Sequence, residues 1–137
     1  MTMAAKFYHC NVCGNVMAAV VPSGVVPFCC DSEMEALTPN SMEASNEHHI
    51  PEVTLMDHNV IRVKVGKNFH PATTDHHICF IVVETEQGAT IRYLDASELP
   101  EVTIQCDGYP RVVYAYCNKH GLWKKVLHDA CNSKCTV

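Results

Sequence analysis

The chain has 137 residues, a net charge of −5 at pH 7 and nine cysteines, which fits one ordinary domain or a small domain plus a medium one. It shows no basic stripe of the kind that displaces counterions from phosphates, so nucleic acid is excluded as a partner. No apolar run approaches the ~18 residues of a membrane span and the start lacks the apolar stretch of a secretion signal, so a soluble, cytoplasmic protein without membrane contact is expected.

Residues 1–37 hold two short β-like pieces, 6–9 and 16–21, broken by Gly14 and by Pro22-Ser23-Gly24. A unit below ~40 residues rarely folds without a metal, disulfide or partner. An odd cysteine count with no export signal argues against a disulfide scaffold and for metal ligation in a reducing compartment. Cys10 and Cys13 put two sulfurs on one tight turn with Gly14 behind it, and Cys29 and Cys30 are adjacent, which distorts a tetrahedron. Four-cysteine clusters in general are zinc more often than iron. Residues 38–48 are polar and read as a linker. The charge follows this division: residues 1–59 carry one basic side chain, Lys6, and seven acidic ones, whereas residues 60–137 carry nine basic and eight acidic.

From residue 49 the pattern is β throughout. Ile61, Val63 and Val65 alternate with Arg62 and Lys64, the period of a strand with one buried face. Residues 78–86 are apolar on both faces before a Gln87-Gly88 turn and a return strand at 89–94, which suggests a sandwich core plus a subunit contact. Further strands are expected at 52–56, 102–106, 111–117 and 122–127, about the seven of an immunoglobulin-like sandwich. If each turn reverses the chain, His49, the loop 66–77 with His70 and His76, and the segment with Cys117 and His120 all arrive at one end. One thiolate and four imidazoles make a nitrogen and sulfur site that suits redox-active iron better than closed zinc.

Two sets of residues carry a family resemblance. The stretch from Tyr8 to Asn15, with fifteen residues between Cys13 and Cys29-Cys30, resembles the desulforedoxin-type mononuclear iron module. Glu47-His48-His49-Ile50-Pro51, His70-Pro71 with His76, and Tyr116-Cys117-Asn118-Lys119-His120-Gly121-Leu122-Trp123 resemble superoxide reductase. Together they are similar to desulfoferrodoxin, the two-iron form, over nearly the whole chain. The resemblance implies an all-β protein with a small desulforedoxin-like iron domain (1–37), a linker (38–48) and an immunoglobulin-like superoxide reductase domain (49–137).

It further implies one iron on Cys10, Cys13, Cys29 and Cys30. The other would sit among His49, His70, His76 and His120 in its equator, with Cys117 axial and the opposite position open. The implied activity is one-electron reduction of superoxide to hydrogen peroxide, with a small electron donor such as rubredoxin and a homodimeric assembly. Glu47 is then the carboxylate that caps the ferric site. The family's lysine, expected to attract superoxide and organise proton delivery, is replaced by His48, which either takes over part of that role or is a surface residue. Lys119, beside His120, is the rival positive charge. His77 replaces a usual aromatic residue and reads as packing or surface rather than a sixth ligand.

Trp123 reads as a core anchor, Cys79 and Cys106 as buried thiols, and Cys131 and Cys135 as part of a tail outside the family pattern. Two other functions compete: a two-iron electron carrier without substrate turnover, and a zinc-stabilised binding module.

Overall fold

The computed structural model describes residues 6–41, 46–66 and 70–127, with Lys6, Asn46 and Glu47 described by their backbone alone. Cys131 and Cys135 lie outside the described residues. The chain divides into two compact units, residues 1–38 and 39–137.

In the first unit, β1 (Lys6–His9) pairs antiparallel with β2 (Val16–Ala19). A tight hairpin of β3 (Phe28–Cys29) and β4 (Ser32–Glu33) follows, and β5 (Glu35–Ala36) returns to the other side of β1. Among the described residues Tyr8, Cys10 and Met34 form a small buried cluster, with Ala19, Val26 and Cys29 at its margin, and Phe7 is buried as well. So small a core cannot offset the conformational entropy of ordering the chain without a cross-link or metal. The strand expected over 16–21 stops at Ala19, where the ladder reaches Lys6↔Ala19, and Val20 beyond it is 89% exposed.

The second unit opens with one helical turn, α1 (Asn46–His49), that the β pattern did not indicate. Among the described residues seven strands follow: β6 (Pro51–Leu55), β7 (Val60–Val65), β8 (Ile78–Glu84), β9 (Ala89–Tyr93), β10 (Glu101–Gln105), β11 (Val112–Cys117) and β12 (Gly121–Val126). They form two antiparallel sheets, ordered β10-β7-β6 and β12-β11-β8-β9, which is the expected immunoglobulin-like sandwich. Ile61, Val63 and Val65 of β7 are fully buried against Ile81 and Val83 of β8, Ile104 of β10, and Val113 and Ala115 of β11. Each of these buried valines and isoleucines contributes about 1.5–3 kcal/mol relative to exposure. On the opposite face of β8, Val82 is buried too and Phe80 stacks on Tyr116 at 5.4 Å, which accounts for a strand apolar on both sides.

Strand ends place the candidate ligands. Pro51 pairs with Val65, and the Gly66 N–H extends that ladder to the Ile50 carbonyl at 3.1 Å, so His49 leaves and the chain toward His70 departs at the same end. Cys117 stands opposite both Ile78 and Gly121 at that end. Asn40, read as linker, belongs to the second unit. Its backbone N–H bonds the Leu122 carbonyl at 2.9 Å, and its side chain bonds both backbone groups of Lys124, pairing with β12 like a short strand.

Candidate metal centres

The four cysteines of the first unit meet as the spacing implied, their sulfurs within 4.8 Å of one another. Cys10 and Cys13 sit on a turn closed by the Gly14 N–H to the Cys10 carbonyl (2.9 Å) and the Cys10 N–H to the Asn15 carbonyl (2.8 Å). Gly14 takes φ 85°, a left-handed conformation a side chain would strain. The adjacent pair is explained by the β3–β4 hairpin. Cys29 ends β3, and Cys30 and Asp31 form its two-residue turn with φ 55° and 62°. Such a turn requires two left-handed residues, and non-glycine residues hold that conformation at a cost of about 1–2 kcal/mol each.

Cys13 Sγ and Cys29 Sγ are 3.7 Å apart, far beyond the ~2.05 Å of a disulfide. A tetrahedron with metal–thiolate bonds of about 2.3 Å has edges of about 3.8 Å, so the spacing fits a bound metal. The charges agree. The backbone N–H of Cys13 draws the Cys10 thiol down to about 6 against desolvation, with the Val12 N–H assisting, while Cys13 and then Cys29 push Cys30 up to about 12. Four crowded sulfurs cannot all ionise until a cation stands between them. Asn15 adds an Nδ2–H donor to Cys29 Sγ at 3.7 Å.

At the sandwich end, the imidazoles of His49, His70, His76 and His120 form a ring. Successive centroids are 4.7, 4.6, 5.0 and 4.9 Å apart, with neighbouring planes at 73–88° to one another, and the His49–His76 diagonal is 6.2 Å. Metal–nitrogen bonds of about 2.1 Å would put opposite ring centres about 6.4 Å apart, so the square is the right size for one ion. Donor atoms of His49, His70, His76 and Cys117 lie within 4.8 Å of one another. His120 Nδ1 stands beside them, 3.1 Å from His49 Nε2 and 3.9 Å from Cys117 Sγ.

The protonation pattern suits ligation. His70 Nδ1–H donates to the Pro71 carbonyl at 2.8 Å, which leaves the Nε2 lone pair buried without a partner, and His76 Nε2 is buried and unpartnered as well. Burial pushes His70 down to about 4 and also lowers His76, so both rings stay neutral. Burial raises the Cys117 thiol, and the backbone N–H groups of Lys119 and His120 pull it back. The His120 N–H reaches Cys117 Sγ at 3.4 Å. Trp123, 1% exposed, stacks on His49 at 4.8 Å and 25°, and its indole N–H bonds the His120 carbonyl at 3.0 Å. It is the core anchor the sequence suggested, and it also holds the His49 ring and the His120 backbone, a role that only its place three residues after His120 hinted at.

Other residues take simpler places. Glu47 lies in α1, its side chain outside the described residues. His48 is partly buried, with Nδ1 enclosed and unpartnered, and is not among the gathered donors. Cys106 is buried, whereas Cys79 is half-buried, its thiol 3.6 Å from His77 Nε2.

Residues 41–126 match the family model described as Desulfoferrodoxin. The chain is 31% identical over 120 residues to a desulfoferrodoxin of Desulfarculus baarsii, a match covering 87% of this chain and 94% of that one. Among solved structures, the superoxide reductase of Treponema pallidum superposes with a TM-score of 0.76 at 27% identity, covering 90% of this chain and 99% of that one. A one-iron superoxide reductase of Giardia intestinalis superposes with a TM-score of 0.50 at 28% identity, covering 59% and 97%. Iron is the metal that the four-thiolate and histidine–thiolate sets fit in this setting. The chain belongs to the desulfoferrodoxin family.

Proposed function

We propose that this protein is a superoxide reductase, which delivers one electron and two protons to superoxide and releases hydrogen peroxide. The observation that carries this reading is the square of four imidazoles with the buried Cys117 thiol beside it, a donor set of the redox type rather than a closed structural one. Iron held by His49, His70, His76, His120 and Cys117 would supply the one-electron chemistry and leave a position for a small anion.

The chain's own residues prepare that site. The Pro71 carbonyl fixes the His70 tautomer, and Trp123 fixes the orientation of His49 and the His120 backbone. The N–H of His120 holds the Cys117 sulfur and stabilises its anionic form. Lys119, exposed in the turn between Cys117 and His120, offers the positive charge that draws an anion toward this end of the sandwich. His48 takes the place of the family's lysine and supplies the second polar group, and Glu47 acts as the carboxylate that closes the site after turnover. The Cys10, Cys13, Cys29 and Cys30 set holds the other iron as an electron-transfer centre. A rubredoxin-like donor, a homodimeric assembly and a cytoplasmic setting complete the reading.

Product stoichiometry tests it. With an excess of reductant, one hydrogen peroxide should appear per superoxide consumed and no oxygen should evolve. Oxygen released as half of the superoxide consumed would make the protein a dismutase instead.

A further inference from the structure

We propose that Asn118 is a positioning residue of the histidine–thiolate centre, the side chain that locks the loop carrying His76 onto the turn carrying Cys117 and His120. Its Oδ1 accepts the His77 N–H at 2.9 Å, and its Nδ2 donates to the Asp75 carbonyl at 3.0 Å. Its backbone N–H donates to the His77 carbonyl at 3.2 Å. The three bonds grip the residues on either side of His76. Only an amide places a donor and an acceptor on one short planar group; aspartate lacks the donor.

Two further features make this attachment matter. The ladder between β8 and β11 loses register at this point: Tyr116 faces Phe80 but Cys117 faces Ile78, so Cys79 is left over as a bulge. Beyond it, Asn118 restores the connection. The loop itself is a closed block, with reciprocal backbone bonds between Thr73 and His76 at 3.0 and 3.1 Å and the His77 Nδ1–H on the Thr73 carbonyl at 3.0 Å. Fixing one edge of such a block fixes the backbone from which the His76 ring projects. Because Asn118 is exposed, truncating it removes the bonds without opening a cavity.

The inference rests on reading His49, His70, His76, Cys117 and His120 as one metal site, and the test separates the two ideas. The metal-free full-length chain is titrated with cobalt(II), the two thiolate sites being followed by their separate visible bands, in the parent, in N118A and in V63A. The last variant destabilises the same sandwich away from the site. N118A should lower cobalt affinity at the histidine–thiolate set by about 10–100-fold, the range for lost supporting contacts around a metal, while the four-cysteine set is unchanged. In the metal-free parent the His77 amide should already be protected from hydrogen exchange, and N118A should release it. An N118A affinity within about twofold of the parent, or an equal loss in V63A, overturns the proposal. An unprotected His77 amide in the parent overturns it too, even if N118A fails to fold. A parent chain that binds no cobalt at this set would instead refute the site itself.

Discussion

Trp123→Phe separates packing from metal support at the candidate iron site. Phenylalanine keeps a ring against His49 but removes the indole N–H, leaving the His120 carbonyl without its 3.0 Å donor. A neutral hydrogen bond of this kind contributes about 1 kcal/mol net. The two side chains differ by roughly 40 Å³, and at about 24 cal/mol per Å³ of residual cavity the smaller ring costs about 1 kcal/mol more. A destabilisation of about 2 kcal/mol corresponds to a Tm lower by roughly 10 °C in a unit of this size. Thermal unfolding of the metal-free chain, followed by circular dichroism, reads this directly. Chelator competition should show iron affinity at the histidine–thiolate set reduced by about 10–100-fold, with the four-cysteine set unaffected. A Trp123→Phe protein with unchanged Tm and unchanged affinity would refute the claim that the indole holds His49 and His120 in place.

Cys117→Ser should abolish reductase activity and the thiolate absorption of the second centre while the first stays coloured, because oxygen is a poor replacement for a soft sulfur donor; full activity would exclude Cys117. Cys13→Ser should strip the metal from the first unit, whose described buried cluster is as small as Tyr8, Cys10 and Met34, while superoxide still reacts at the second centre; loss of both irons would show one cooperative folding unit. The metal-free chain should lose stability on acidification. His70 is neutral when folded, held to about 4 by burial, against 6.5 for a free imidazole. The unfolded state therefore binds more protons below pH 6.5, and stability falls as pH drops from 6.5 toward 4. At about 1.4 kcal/mol per pH unit that loss is at most about 3 kcal/mol, measurable as Tm against pH. Lys119→Ala should slow the bimolecular reaction with superoxide severalfold and flatten its salt dependence, and His48→Lys should speed it; an unchanged rate in both variants would remove electrostatic steering from the account.

Much of this arrangement was legible in the residues. The alternation of Ile61, Val63 and Val65 announced β7, and turn counting brought His49, His70, His76, Cys117 and His120 to one end, where the four imidazoles stand ring against ring with the Cys117 sulfur beside them. The single turn Asn46–His49 was hidden because four residues carry no periodicity to read. The two-residue strands β3 and β4 escaped for a related reason: two residues carry no alternation to read, and their turn places Cys30, a residue type that rarely takes left-handed backbone, at φ 55°. Cys79 looked like an ordinary strand residue, and only the shift in pairing between β8 and β11 makes it a bulge. Asn40 looked like linker because its pairing with β12 spans 84 positions of sequence, and long-range contacts of that kind leave no local signature.

A single turnover shows whether the histidine–thiolate centre reduces superoxide. The fully reduced, iron-loaded protein is mixed with a pulse of superoxide below one equivalent and followed through the visible range. Rapid one-electron oxidation of the histidine–thiolate centre is expected, seen as its ferric thiolate absorption, with one hydrogen peroxide formed per superoxide and no such signal in Cys117→Ser. A superoxide pulse that leaves the second centre ferrous, or a chain that holds only zinc there after iron loading, would contradict it.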